Sequence, residues 1–164
     1  MEEDFFMAAT VWIVDDDESV RGVLGAMIRE LGYEVQVYEQ AESALKAYQP
    51  AAADVIITDV RMPGMSGMDL TRALLEIDPD LIIMVLTGFP SIPDAVEAVR
   101  AGACDFLSKP CRIEEIRIRI SRALENRAVH ERLRRTRMMT WGLIASLPVW
   151  FILGILLAIF LIKA

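Results

Sequence analysis

Four short apolar runs in the first 110 residues each lead into a side chain capable of chemistry, and no other feature constrains the fold as tightly. The runs are Val11-Trp12-Ile13-Val14, Val55-Ile56-Ile57-Thr58, Leu81 to Leu86, and Asp105-Phe106-Leu107-Ser108. They are followed by Asp15-Asp16, Asp59, Thr87 and Lys109. Continuous apolar runs of this length, separated by stretches of helical period, read as strands of a parallel sheet buried on both faces. In an open α/β sheet the binding crevice lies beyond the carboxyl ends of the strands. Residues scattered along the chain are therefore expected to converge on one small site of carboxylates, a hydroxyl and an ammonium.

After residue 9 the pattern is strand then helix, five times over. Strands are expected at 10–14, 35–38, 55–58, 81–86 and 105–108. Ser19 is expected to cap a first helix ending near Leu31, where Gly32 can take the left-handed turn. Val20, Val23, Leu24, Met27, Ile28 and Leu31 give that helix one apolar face. Further helices are expected at 41–48, stopped before Pro50, at about 68–76, and at about 94–100. From Arg112 to Arg137 there is neither proline nor glycine, so one long helix is possible. Ile113, Ile116, Ile120 and Ala123 or Leu124 follow its helical step. The first half is expected to pack on the sheet. The charged remainder is read either as a solvated stalk held by Glu–Arg pairs or as a dimeric coiled coil, and its apolar repeat is too short to decide.

The formal net charge of −7 conceals an asymmetry. Residues 1–111 carry 20 acids against 7 bases, whereas 112–137 carry 9 arginines against 4 glutamates. An acidic globular part argues against a nucleic-acid partner, and the basic stretch suits an anionic membrane surface. Met138 to Ile162 then runs 25 residues without a charge. As a helix it would extend ~37 Å, more than the ~30 Å hydrocarbon core, with Pro148 tolerable as a kink. Arg132, Arg134, Arg135 and Arg137 precede it and Lys163 follows, which places the N-terminal part in the cytoplasm. The expected organisation is a tail at 1–9, a globular domain at 10–124, a charged stalk at 125–137 and a transmembrane helix at 138–162. Nothing at the start reads as a secretory signal. Cys104 and Cys111 form no disulfide framework or metal pattern and are expected to be small buried hydrophobes. His130, among arginines, is expected to be a solvated helix residue.

Asp15, Asp16 and Asp59 would repel one another at adjacent strand ends, so the cluster calls for a cation. Hard oxygen ligands select Mg2+ or a similar ion. A carboxylate beside such an ion and Lys109 is suited to accept a phosphoryl group and form an acyl phosphate. Thr87 can bond a phosphoryl oxygen only once that group is present, which is the basis of a switch.

The chain resembles the receiver domain of two-component response regulators over residues 10 to about 124. The resemblance rests on Val14-Asp15-Asp16-Asp17-Glu18-Ser19, on Thr58-Asp59-Val60-Arg61-Met62-Pro63-Gly64-Met65-Ser66-Gly67, on Leu86-Thr87-Gly88, and on Ala101 to Pro110. It implies a flavodoxin-like (βα)5 fold and a phospho-acceptor, Asp59, served by a histidine kinase or phosphotransfer protein. It also implies Mg2+ held by Asp16, Asp59 and the main-chain carbonyl of Arg61, with Asp15 joining largely through water. Thr87 and Phe106 match the switch hydroxyl and switch aromatic, and the Lys109-Pro110 bond is expected to be cis. The stretch from Thr87 to Pro110 most resembles receivers of the nitrogen-regulation and nitrogen-fixation types. These often form homodimers through the fourth helix, fifth strand and fifth helix. One departure is Cys111, where a large apolar residue usually stands.

No output domain is expected, so the reading is a receiver in the bacterial inner membrane that signals by protein–protein contact, as a phosphate sink, relay or adaptor. It is a phospho-accepting domain and not an enzyme acting on small molecules. Two alternatives are a scaffold that keeps the receiver fold without signalling, and an aspartyl-nucleophile phosphatase. The intact Asp59, Thr87 and Lys109 weigh against the first, and the lack of residues to build a cap weighs against the second.

Overall fold

In the computed structural model, which describes residues 9–130, nine elements alternate as strand and helix and a tenth, helical, follows. They are β1 (Thr10–Val14), α1 (Glu18–Glu30), β2 (Glu34–Tyr38), α2 (Ala41–Ala47), β3 (Val55–Asp59), α3 (Gly67–Ile77), β4 (Ile82–Thr87), α4 (Ile92–Ala101) and β5 (Asp105–Ser108). Residues 113–130 are also helical and are called α5. All strand pairings are parallel, in the order β2-β1-β3-β4-β5. This is the expected flavodoxin-like architecture, with the winding reversing beside β1.

The sheet is buried because its strands alternate sides with period two and both sides are apolar. Val11, Ile13, Val55, Ile57, Ile82, Met84 and Leu86 join Leu24 and Ile28 of α1 and Ile116, Ile120, Ala123 and Leu124 of α5 in one core layer. Trp12, Val14, Ile56 and Ile83 join Ala41, Ala44, Leu70 and Leu74 of α2 and α3 in the other. β3 and β4 are buried along their whole lengths, whereas β2 and β5 form the partly exposed edges. Trp12 anchors the second layer, its ring 4.7 Å from Tyr38 and edge-on to Tyr48 at 5.7 Å.

Several boundaries differ from expectation. Asp17, not Ser19, caps α1: its carboxylate accepts the amides of Ser19 and Val20. An N-terminal carboxylate also meets the positive end of the helix dipole, an advantage that a serine lacks. α4 begins at Ile92, earlier than expected, because Ser91 caps it and Pro93 sits in its first turn, where no amide donor is required. Gly32 and Gly102 take the left-handed conformation past the ends of α1 and α4. Cys104 is exposed, against the expectation of a buried hydrophobe, because it lies on the loop ahead of edge strand β5; Cys111 is half-buried. His130 is exposed as expected, its Nδ1 2.8 Å from the Asn126 carbonyl.

The chain divides into two units, Met1–Glu125 and Asn126–Ala164. Most of the expected tail, the stalk beyond residue 130 and the expected 138–162 span lie outside the described residues. Among the described residues no helix is long and apolar enough to cross a membrane.

Candidate functional site

The parallel register delivers the expected residues to one end of the sheet. Val14 of β1 pairs with Thr58 of β3, so Asp15 emerges level with Asp59 on the neighbouring strand. Asp59 itself pairs with Leu86, placing Thr87 one step further along β4. Thr87 pairs with Ser108, and Lys109 follows at the end of β5, its amide donating to the Thr87 carbonyl at 2.7 Å. The Lys109-Pro110 bond is cis, as the resemblance implied.

The long lysine side chain reaches back across the strand ends. Its Nζ lies 2.5 Å from Asp15 Oδ2 and 2.7 Å from Asp59 Oδ1, so one ammonium joins two carboxylates. Asp15 is 1% exposed. Burial pushes its pKa up, and the hydrogen bond from Lys109 only partly offsets this. For Lys109, burial works against the charge, but hydrogen bonds to Asp15 and Asp59 outweigh it and hold the ammonium above its ordinary pKa. Asp59 is buried, and its Oδ2 accepts the Arg61 amide at 2.8 Å. Thr87 is buried too, with Oγ1 accepting the Phe89 amide at 3.2 Å. Asp16, next along the chain, is exposed. Phe106 is half-buried against the cluster formed by Val60, Met68, Val85, Ala98 and Ala101, which links the site to α4.

Two supports were not foreseen from the sequence. Gly67, at the start of α3, packs so closely under the acceptor that an added Cβ would collide with the Asp59 carbonyl oxygen. No local signal separates this glycine from an ordinary turn glycine, because the crowding comes from another element. Glu42 of α2 accepts the Met65 amide at 2.8 Å and steadies the loop after Asp59.

Among the described residues no group of three acidic, histidine or cysteine side chains is close enough to hold a metal ion as it stands. The donors nonetheless suit a hard cation. Asp15 and Asp59 offer only oxygen, and buried Asp15 Oδ2 has no partner besides the Lys109 ammonium. Uncompensated carboxylates in such a place are costly, so a second positive charge would be favourable.

The sequence model described as "Response regulator receiver domain" matches residues 11–121. The chain belongs to that family. It is therefore the phospho-accepting signalling domain of a two-component system, the kind of domain that takes a phosphoryl group on aspartate from a histidine kinase. Response regulator protein TodT of Pseudomonas putida is 39% identical over 118 residues, covering 72% of this chain and 52% of TodT. Transcriptional regulatory protein FixJ of Rhizobium meliloti (strain 1021) is 41% identical over 117 residues, covering 71% of this chain and 57% of FixJ. The matched region spans about half the length of these relatives. Among solved structures, the FixJ-N crystal structure is 42% identical with a TM-score of 0.65, covering 71% of this chain and 94% of that one. The beryllofluoride-activated NtrC4 receiver domain dimer is 34% identical with a TM-score of 0.68, covering 72% and 98%.

Proposed function

We propose that this receiver is tethered to the bacterial inner membrane, accepts a phosphoryl group on Asp59, and signals by protein–protein contact. The observation that carries the acceptor assignment is the Lys109 ammonium placed between Asp15 and Asp59. In the transfer an Asp59 carboxylate oxygen forms the new bond to phosphorus, the phosphorus–nitrogen bond of a phosphohistidine breaks, and the electron pair leaves with the imidazole. Lys109 stays within reach of the equatorial oxygens and steadies their charge. Asp16, Asp59 and the Arg61 carbonyl, with Asp15 behind them, would hold Mg2+, which when bound neutralises charge on the incoming group. Thr87 Oγ1, bonded to the Phe89 amide before transfer, would turn toward the new phosphoryl oxygen, and Phe106, which packs against Ala98 and Ala101, would shift with it.

Tethering is supported by the uncharged 138–162 segment behind the arginine-rich stretch. With the receiver on the cytoplasmic side, the partners are a histidine kinase or phosphotransfer protein upstream and another protein downstream, with no role for nucleic acid. The NtrC4 relative is a beryllofluoride-activated receiver dimer. A similar pairing through α4, β5 and α5 suits the exposed apolar residues of α4 here.

The test is labelling of the full-length chain by acetyl phosphate with and without Mg2+. Labelling is expected to need the ion and to be abolished in Asp59→Asn. Because an acyl phosphate does not survive alkali, the tether is read on the unlabelled chain by immunoblot, and the chain is expected to stay with the membrane fraction through an alkaline wash. Labelling that survives Asp59→Asn would overturn the acceptor assignment, and a chain released by the wash would overturn the tether.

A further inference from the structure

The turn that carries Asp15 and Asp16 is closed by a residue to which neither the motif nor the proposed reaction assigns a role. Arg21 lies in the first turn and a half of α1, half-buried, and its Nη1 donates to the Asp15 main-chain carbonyl at 2.6 Å. The Arg21 amide also donates to the Asp17 carbonyl at 3.0 Å, so the same residue holds the turn from backbone and side chain. The rest of the turn is bonded to itself and to β2. Asp15 Oδ1 accepts the Asp17 amide at 3.0 Å, Asp17 caps the helix, and the Asp15 amide donates to the Tyr38 carbonyl at 3.2 Å.

We infer that Arg21 is the positioning residue of the cation site: by gripping the Asp15 carbonyl it sets the plane of the 15–16 peptide, and with it the directions in which the Asp15 and Asp16 carboxylates point. This rests on the proposed Mg2+ role of those carboxylates. A guanidinium has the reach and fixed donor geometry for a carbonyl at helix distance, and a charge-assisted bond of this length is among the stronger kinds. Its charge acts in the opposite direction, since a cation beside the site repels an incoming one. The geometric and electrostatic roles therefore predict opposite effects on metal affinity, and an experiment can separate them.

The experiment titrates the full-length chain with Mn2+, followed by the loss of the free-ion electron paramagnetic resonance signal. It uses wild type, Arg21→Ala and Arg21→Lys, with urea midpoints measured beside them. Orienting partners of metal ligands are typically worth a factor of ~10 or more in affinity. Arg21→Ala is expected to raise the half-saturating Mn2+ concentration ~10-fold, and Arg21→Lys, which keeps a donor on a long stem, to recover most of that. An Arg21→Ala affinity equal to or tighter than wild type would overturn the inference, as would an Arg21→Lys affinity no better than Arg21→Ala. If wild type itself takes up no Mn2+, the metal reading of the site fails instead.

Discussion

The carboxyl end of the sheet and the surface of α4 are held by opposite means. At the sheet end, Asp59 and Thr87 are buried on β3 and β4, Asp15 is buried just past the end of β1, and Lys109 joins the two carboxylates. α4 buries only Ala98 and Ala101. Its larger apolar side chains face outward: Ile92 is 83% exposed, Val99 72%, and Val96 is exposed as well. These three recur at steps of four and three, one stripe along the helix. Two ion pairs attach α4 to its neighbours, Arg61 to Asp94 at 3.8 Å and Arg72 to Glu97 at 3.0 Å. Such exposed pairs contribute little. The acceptor is thus held in a packed, bonded setting, and the helix beside it leaves an apolar stripe uncovered. Phe106 belongs to both regions, packed against Ala98 and Ala101 two strands across from Asp59.

The contrast can be tested on stability. Gly67→Ala strikes the rigid end hardest, because its Cβ would meet the Asp59 carbonyl, a backbone atom that cannot swing aside. A loss on the order of 3 kcal/mol is expected, or ~10 °C in melting temperature. A variant within a degree or two of wild type would show that the end of β3 is softer than its burial implies.

Asp15→Asn is the next largest effect and runs the other way. Burial raises the Asp15 pKa in the folded state, so its stabilising contribution is fully present below the ordinary value of 3.8 and is lost as pH rises through the folded value. In metal-free buffer at neutral pH the neutral amide is therefore expected to melt higher, by on the order of 1 kcal/mol. The gap should narrow as pH falls and Asp15 takes up its proton. A gap that widens toward acid pH would mean that the Lys109 bridge, and not desolvation, dominates at this carboxylate.

Ile92→Gln and Val99→Gln, on the exposed stripe, should move stability by less than ~0.5 kcal/mol, since neither side chain is packed. They are expected instead to weaken self-association of the beryllofluoride-treated chain, read by light scattering. A clear drop in melting temperature would show that the stripe is anchored to the domain and erase the contrast.

Much of this was legible along the chain. Strands β1, β3, β4 and β5 showed as apolar runs, and the residues that end them carried the site. Boundaries slipped where chemistry outside the run decided them. Asp59 lies inside β3 because its amide neighbours still pair with β4, and α4 starts early because Ser91 and Pro93 make a better start than the apolar pattern suggests. The expectation for Cys104 failed because hydrophobic character does not say which loop a residue occupies. Asp16 is exposed where Asp15 is buried, since β1 ends at Val14 and no longer dictates direction there. Arg21 and Glu42 carried no signal, and Gly67 was visible only as the end of a motif, since each acts on the backbone of another segment.

By itself, then, the order of residues determined the alternation of strand and helix, the two-sided burial of the sheet and the set of chemical groups at its end. Period-two and helical patterns are local, and each run meets its requirement within a few residues. The tertiary structure alone decided the distances: the ammonium between two carboxylates, the glycine pressed beneath the acceptor, the arginine gripping the Asp15 carbonyl. Those depend on register between strands far apart in sequence and on how closely a helix can approach a strand end, and only the packed core sets both.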